Sequence, residues 1–268
     1  MTAHAFDQAI ALTAQADGSF LGHTSPAYAN MVGPYGGITA AQVLNAVLQH
    51  PQLLGEPVAL TVNFAAALAD GPFTVLARPA RTNRSTQHWV LEVQQQGQAV
   101  VTATAVTATR RDTWSLDDAP MPQVAAPEQV PLPKAQPPLA FLKQYELRFL
   151  EGAPPEVLDG SGHSSLTRLW CRDHPARPLD FASLAALADI FIPRVYIRRS
   201  AIVPAGTVSF TVYFHASAAQ LQTCGSGYLL GQAQAQAFRN GFFDHTAQLW
   251  SQAGVLLATS HQVVYYKE

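Results

Sequence analysis

The segment SLDDAPMPQVAAPEQVPLPKAQPPL, residues 115–139, constrains the fold of this chain more than any other stretch. Proline has no N–H to donate and locks φ, so a run this rich in proline is excluded from helix interiors and central strands. It reads as a crossing linker that divides the 268 residues into two parts, 1–112 and 140–268, joined by 113–139. The two parts follow one plan. In the first, PYGGITAAQVLNAVLQH (34–50) is a helix candidate that opens on Gly36-Gly37 and ends at Pro51. Ile38, Ala41, Leu44 and Leu48 make one apolar face, and Val43 and Val47 add a second seam, so the helix should be wrapped on several sides. Strand candidates follow at 58–67, 72–81, 86–95 and 99–109.

The second part repeats that order. A helix is expected over 181–192 with Asp180 as its cap, then strands near 206–215, 227–238, 242–250 and 255–266. Asn240-Gly241 is a hairpin signal, because both residues tolerate positive φ. The hairpins VQQQGQAVVTATAV (93–106) and LWSQAGVLLATSHQV (249–263) echo each other. One buried helix followed by a run of long antiparallel strands, twice over, predicts an α+β architecture in which each sheet wraps its own central helix. It is not the strand–helix alternation of a parallel doubly wound sheet, which argues against a nucleotide fold.

Several function classes fall away on composition and spacing. Only 13% of residues are charged, the net charge is −2, and Lys and Arg form no stripe, so nucleic acid is not an expected partner. Cys171 and Cys224 are far apart with no CxxC, which excludes a cysteine zinc site and fits a reducing compartment. The N-terminus shows no secretory pattern and no apolar run is long enough to span a bilayer, so a cytoplasmic location is expected. GSGYLLG (225–231) has a misplaced third glycine and feeds a strand. Ser161 lacks the spacing of a nucleophile elbow. His245 and His261 show no ligand spacing, and a strand-surface or core role is expected of each, with no metal and no cofactor.

One position resists a bland reading. LAALADIFIPRV (184–195) is almost wholly apolar, yet Asp189 sits in its middle, in what should be the last helical turn before Pro193. A negative charge there opposes the helix dipole. A buried carboxylate without a partner costs several kcal/mol or takes a raised pKa. On the strand after this helix, strict alternation puts Val208, Phe210, Val212 and Phe214 on one face and Thr207, Ser209, Thr211, Tyr213 and His215 on the other. On the last strand Gln262 shares a face with Ala258, Ser260 and Val264.

With these residues in view, the chain resembles the TesB-like acyl-CoA thioesterases from about residue 18 to the C-terminus. The resemblance is carried by Gly36-Gly37 opening the first helix, Asp189 in LADIFIP, Thr207 in GTVSFTVYFH with Phe214 and His215, and Gln262 in LLATSHQ. It implies a double hotdog, two antiparallel sheets each around a central helix and joined edge to edge into one continuous sheet. It also implies that Asp189, Thr207 and Gln262 are catalytic and that an acyl-CoA or other acyl thioester is the substrate. Further assembly into a homo-oligomer is compatible with it. Two positions depart from the family pattern: Ile38 stands where Gln often follows the glycines, and Ser209 where an acidic residue often follows the Thr.

The chemistry this implies is hydrolysis by a positioned water. Asp189 would take its proton, Thr207 and Gln262 would hold it, and backbone N–H groups at Gly36-Gly37 would meet the developing oxyanion. Two alternatives stand beside it. A double-hotdog dehydratase or hydratase needs an Asp and a His on one helix, and neither candidate helix carries both. A non-catalytic acyl-thioester-binding module would have no use for the Asp, Thr and Gln together.

Overall fold

The computed structural model describes residues 3–134, 138–162 and 164–268. The first part contains α1 (Ala5–Ala9), β1 (Thr13–Ala14), β2 (Phe20–His23), α2 (Gly36–Leu48), β3 (Glu56–Phe64), β4 (Pro72–Thr82), β5 (Thr86–Gln95) and β6 (Gln98–Ala108). The second contains β7 (Tyr145–Glu151), β8 (Thr167–Asp173), α3 (Phe181–Leu187), α4 (Arg194–Arg199), β9 (Ala205–Phe214), α5 (Ala218–Cys224), β10 (Leu229–Gln234), β11 (Phe238–Arg239), β12 (Phe242–Ser251) and β13 (Leu256–Tyr266).

The strands form one antiparallel sheet in the order β1-β2-β4-β5-β6-β3-β9-β13-β12-β10-β8-β7, with β11 pairing β12. The order is symmetric about the β3–β9 pair: β2-β4-β5-β6-β3 on one side answers β8-β10-β12-β13-β9 on the other. At that junction Ala59–Asn63 pair with Tyr213–Ser209, and Thr61 and Thr211, directly opposite, join hydroxyls at 3.0 Å. This is a double hotdog, as expected. β2 and β8, the strands that precede each helix and complete each half, were not anticipated, nor was the edge strand β7.

The hydrophobic pattern explains where the helices sit. Nearly every residue of α2 from Gly37 to Val47 is buried, and all seven residues of α3 are. Val43, Leu44 and Val47 have no exposed surface, and each such side chain contributes about 1.5–3 kcal/mol by leaving water. Small residues on both helices, Ala40, Ala41, Ala185 and Ala186 among them, let α2 and α3 pack against each other. One buried cluster runs through both halves, from Phe6 and Val93 to Phe214 and Leu257.

Two expectations need correction. The helix anticipated over 181–192 ends at Leu187, with Asp180 capping its start through the Ser183 amide at 2.8 Å. After Leu187 the chain tightens into a turn, with the Asp189 and Ile190 amides bonding Ala186 and Leu187. Pro193, expected to end that helix, lies beyond the turn and stands instead at the N-cap of α4. The proline-rich stretch is more than a crossing linker. Among its described residues it forms one short 3-10 turn, Pro127–Gln129, and it is strapped to the second half: Trp170 and Trp250 donate their indole N–H groups to Ala125 and Ala119, and Arg148 bonds the Val130 carbonyl at 2.7 Å. Residues 135–137 of that stretch lie outside the described residues. Asn240 and Gly241 both have positive φ in the β11–β12 hairpin, as their types predict.

Candidate active site

Asp189 lies just beyond the C-terminus of α3, where the dipole of its own helix opposes its charge. The fold places that same carboxylate at the N-terminus of α2. Tyr35, the residue that starts α2, offers no side-chain cap. The Gly37 amide bonds the Asp189 carboxylate instead, so the unfavourable end of one helix is offset by the favourable end of the other. Tyr35 clamps the two ends together by donating its hydroxyl to the Ala186 carbonyl at 2.6 Å. Gly36 fits because it has no side chain: a Cβ there would lie 2.9 Å from Asp189 Oδ2. At Gly37 a Cβ would lie 2.5 Å from the Tyr35 ring.

The opposite wall comes from β9 and β13. Gln262 Nε2 donates to Asp189 Oδ1 at 2.6 Å, and Thr207 Oγ1 donates to Gln262 Oε1 at 3.1 Å. The three side chains therefore form one hydrogen-bonded chain in which each bond polarises the next. Ser260, two residues before Gln262, steadies the turn by donating to the Ala188 carbonyl at 3.0 Å. Strict alternation had put Thr207 on the face opposite Phe210 and Phe214, which is not where it lies. Gln262 opposes Phe210 and Val263 opposes Ser209, but Val264 opposes Thr207, so Val208 is an extra residue in the ladder. This β-bulge turns Thr207 onto the inner face beside Gln262. Val208 is left exposed.

The carboxylate faces a cavity of about 670 Å³ lined by Gly36, Phe64, Phe191, Thr207, Gln262 and Val264, among others. Burial pushes the Asp189 pKa up to about 7, and the bonds from Gln262 and from the Gly37 amide pull it only part of the way back. Asp189 keeps partial exposure where it lines the cavity. Among the described residues no three of His, Cys, Asp or Glu converge as a metal-ligand set, and no helix is long and apolar enough to cross a membrane.

The structure thus brings Asp189, Thr207, Gln262, Gly36 and Gly37 together. His215 is elsewhere, bonding Thr259 across the sheet. One residue at the cavity was expected only in a strand-surface or core role. His245, on β12, is 2% exposed, lines the cavity and sits directly opposite Gln262 in the β12–β13 ladder. Its signal was present in the inward series Phe243, His245, Ala247, Leu249, where one polar residue interrupts three apolar ones. It fills the core role expected of it, but in the wall of the cavity.

Comparison with known proteins agrees with this geometry. No match was found among curated protein sequences. Among solved structures, a conserved protein of unknown function with a hot dog fold from Alicyclobacillus acidocaldarius is 48% identical, with a TM-score of 0.95 over 100% of this chain and 99% of that one. The acyl-CoA thioesterase II TesB2 of Mycobacterium marinum shares the fold at 16% identity, with a TM-score of 0.79 over 98% of each chain. The tesB protein of Mycobacterium avium subs paratuberculosis does so at 16% identity and a TM-score of 0.77, again over 98% of each. Family models for the acyl-CoA thioesterase N-terminal domain and C-terminal domain match residues 25–108 and 119–266. The chain therefore belongs to the TesB-like acyl-CoA thioesterases.

Proposed function

We propose that the protein hydrolyses acyl-CoA to free fatty acid and CoA, with Asp189 as general base and Thr207 and Gln262 as the groups that hold the attacking water. The observation that carries this reading is the bonded chain Thr207–Gln262–Asp189 facing an apolar cavity, ending on a carboxylate whose pKa lies near neutrality. A base is most useful when its pKa is close to the working pH. Because Thr207 gives its proton to Gln262, its oxygen is left to accept a hydrogen bond from water, and Asp189 Oδ2 is left to accept the proton that the water gives up.

The water oxygen attacks the thioester carbonyl carbon as its proton passes to Asp189. The tetrahedral intermediate then expels the thiolate, which takes the proton from Asp189 and leaves as CoA thiol. Asp189 ends the cycle ionised, as it began. The oxyanion meets the N-terminus of α2. The Gly37 amide is engaged by Asp189, so Gly36, which lines the cavity, is the one of the pair assigned to the oxyanion. A cavity of about 670 Å³ with walls such as Phe64, Phe191 and Val264 suits an acyl chain.

The test is release of free thiol from straight-chain acyl-CoA of varied length by the purified protein. Medium- or long-chain substrates should be hydrolysed without added metal. No thiol release across the series would overturn the reading. Loss of activity with a chelator, restored by zinc, would overturn the metal-free mechanism.

A further inference from the structure

Resting on the thioesterase reading above, we propose that Arg194 is a positioning residue for the base: its guanidinium locks the turn that carries Asp189 and so keeps the carboxylate in line with Gln262 and the start of α2. Residues 188–193, between α3 and α4, belong to no helix or strand. The Asp189 amide bonds the Ala186 carbonyl and the Ile190 amide bonds the Leu187 carbonyl. Ser260 holds the near end of the turn through the Ala188 carbonyl. Beyond Ile190 the turn depends on Arg194. Its Nε and Nη2 both donate to the Ile192 carbonyl, at 3.0 and 2.5 Å. Its Nη1 reaches the other way, to the Ser165 carbonyl at 2.9 Å, the Thr167 hydroxyl at 2.7 Å and, more weakly, the Ala233 carbonyl at 3.4 Å. The guanidinium thus ties the turn to the start of β8 and to β10.

Arg194 is fully buried, and these partners are all neutral oxygens. A cation carried into the interior without an anion beside it is costly to the fold. What arginine supplies there is reach and a rigid planar fork, which serves a carbonyl on the turn and oxygens on the sheet at once. The same side chain borders Phe191. That ring lies 5.9 Å from the guanidinium, stands edge-on to His245 with centroids 5.6 Å apart, and rests on Gly231, where a Cβ would fall 2.7 Å from it. Phe191 and Ile192 both line the cavity. With the turn fixed at Ala188 and again at Ile192, Asp189 between them stays within 2.6 Å of Gln262 Nε2.

The role is mechanical and not electrostatic. Burial raises the Asp189 pKa, and the bonds from Gln262 and the Gly37 amide lower it in part; no neighbouring charge contributes. The ionisable groups around the carboxylate are Tyr35 and Tyr145, whose pKa values burial pushes well up, and His245, which burial keeps neutral. None of them changes charge near neutral pH. A loosened turn would admit water to the carboxylate and weaken its bonds together. Burial is the largest influence, so the Asp189 pKa would fall toward its ordinary value of 3.8.

Two variants of the full chain test this. Arg194→Lys keeps the charge but has no fork, and Arg194→Met keeps the bulk alone. Each should lower kcat by about 10- to 100-fold and change KM by less than about threefold. In each, the inflection of kcat/KM should move from near pH 7 toward the ordinary carboxylate range. A merely structural role would reduce the amount of folded enzyme and leave that inflection in place. The same shift is read without substrate by NMR titration of isotope-labelled aspartate carboxyls, with Asp189→Asn assigning the signal. An Asp189 pKa and an inflection unchanged in the folded variants would overturn the proposal. If neither variant folds, hydrogen exchange in the wild type decides. The Arg194 Nε–H should be at least as protected as the Asp189 and Ile190 amides; a guanidinium that exchanges well ahead of them would show that the turn holds without it, and would overturn the proposal. Absence of thiol release from the wild type would refute the thioesterase mechanism alone, because the titration and the exchange still judge Arg194.

Discussion

Asp189→Asn tests the proposed base and the electrostatics of its site in one variant. Asparagine keeps the size of the side chain and one carbonyl acceptor, and it mimics the protonated acid. Folding raises the Asp189 pKa from 3.8 to about 7. At about 1.36 kcal/mol per pKa unit, the cost to the fold of keeping the carboxylate ionised is capped at about 4 kcal/mol. Solvent reaching the carboxylate through the cavity screens part of this, and about 1–3 kcal/mol is expected. The folded state binds the proton more tightly than the unfolded state. Below pH 4 both states are protonated, and wild type and variant should be equally stable. Between about pH 4 and pH 7 the wild type loses stability relative to the variant, and above pH 7 the loss is complete. Urea unfolding at pH 4 and at pH 8 measures the difference directly. On the same preparation, thiol release at pH 8 should fall by roughly 10²–10⁴. A variant that still hydrolyses acyl-CoA at near-wild-type rates would refute the assignment of the base. One less stable than wild type at pH 8 would refute the account of a desolvated charge.

Four further outcomes follow from the same geometry. The wild-type kcat/KM should rise about tenfold per pH unit up to near pH 7 and then level off, as Asp189 loses its proton; a flat profile from pH 5 to pH 8 would contradict this. Thr207→Val and Gln262→Ala should each lower turnover, and the double variant should lose less than the product of the two, because both act in one hydrogen-bonded chain; kinetic measurement of all three completes the cycle. Gly36→Ala places a Cβ 2.9 Å from Asp189 Oδ2, so turnover should drop by about tenfold or more with a nearly unchanged melting curve; unaltered turnover would show that the carboxylate need not stay where it is. Fragments 1–110 and 140–268 should aggregate, because separating them opens β3 and β9 and divides one core; a monomeric, cooperatively melting 140–268 would show the halves to be independent.

Much of the fold was legible in the chain because its signals are local. The helix at 34–50 and the four strands after it lie within a few residues of their expected bounds, since long elements with clear apolar periodicity declare themselves. β2 and β1 are too short to carry a period. β8 turns Thr167, Leu169, Cys171 and Asp173 inward, but the polar Thr167 and Asp173 on that face and the apolar Trp170 on the other mask its alternation. α5 carries a local signal of its own, the capping box that Ser217 and Gln220 form at its start.

By itself, the sequence determined the repeated order of one apolar helix and four long strands, the proline-rich break between the copies, and the oddity of an acid inside an apolar run. These depend on each residue and its near neighbours. Tertiary structure alone decided what the site residues can do. Alternation is a local rule, but the bulge at Val208 that turns Thr207 inward is set by the register of β9 against β13. The end of α3 is local, but the α2 N-terminus that receives the Asp189 charge lies about 150 residues away in the chain, as the Tyr35–Ala186 bond shows. The pKa of that carboxylate, and the place of His245 opposite Gln262, come from burial and pairing between segments distant in sequence. No pattern along the chain encodes them, because desolvation and strand register exist only once those segments have met.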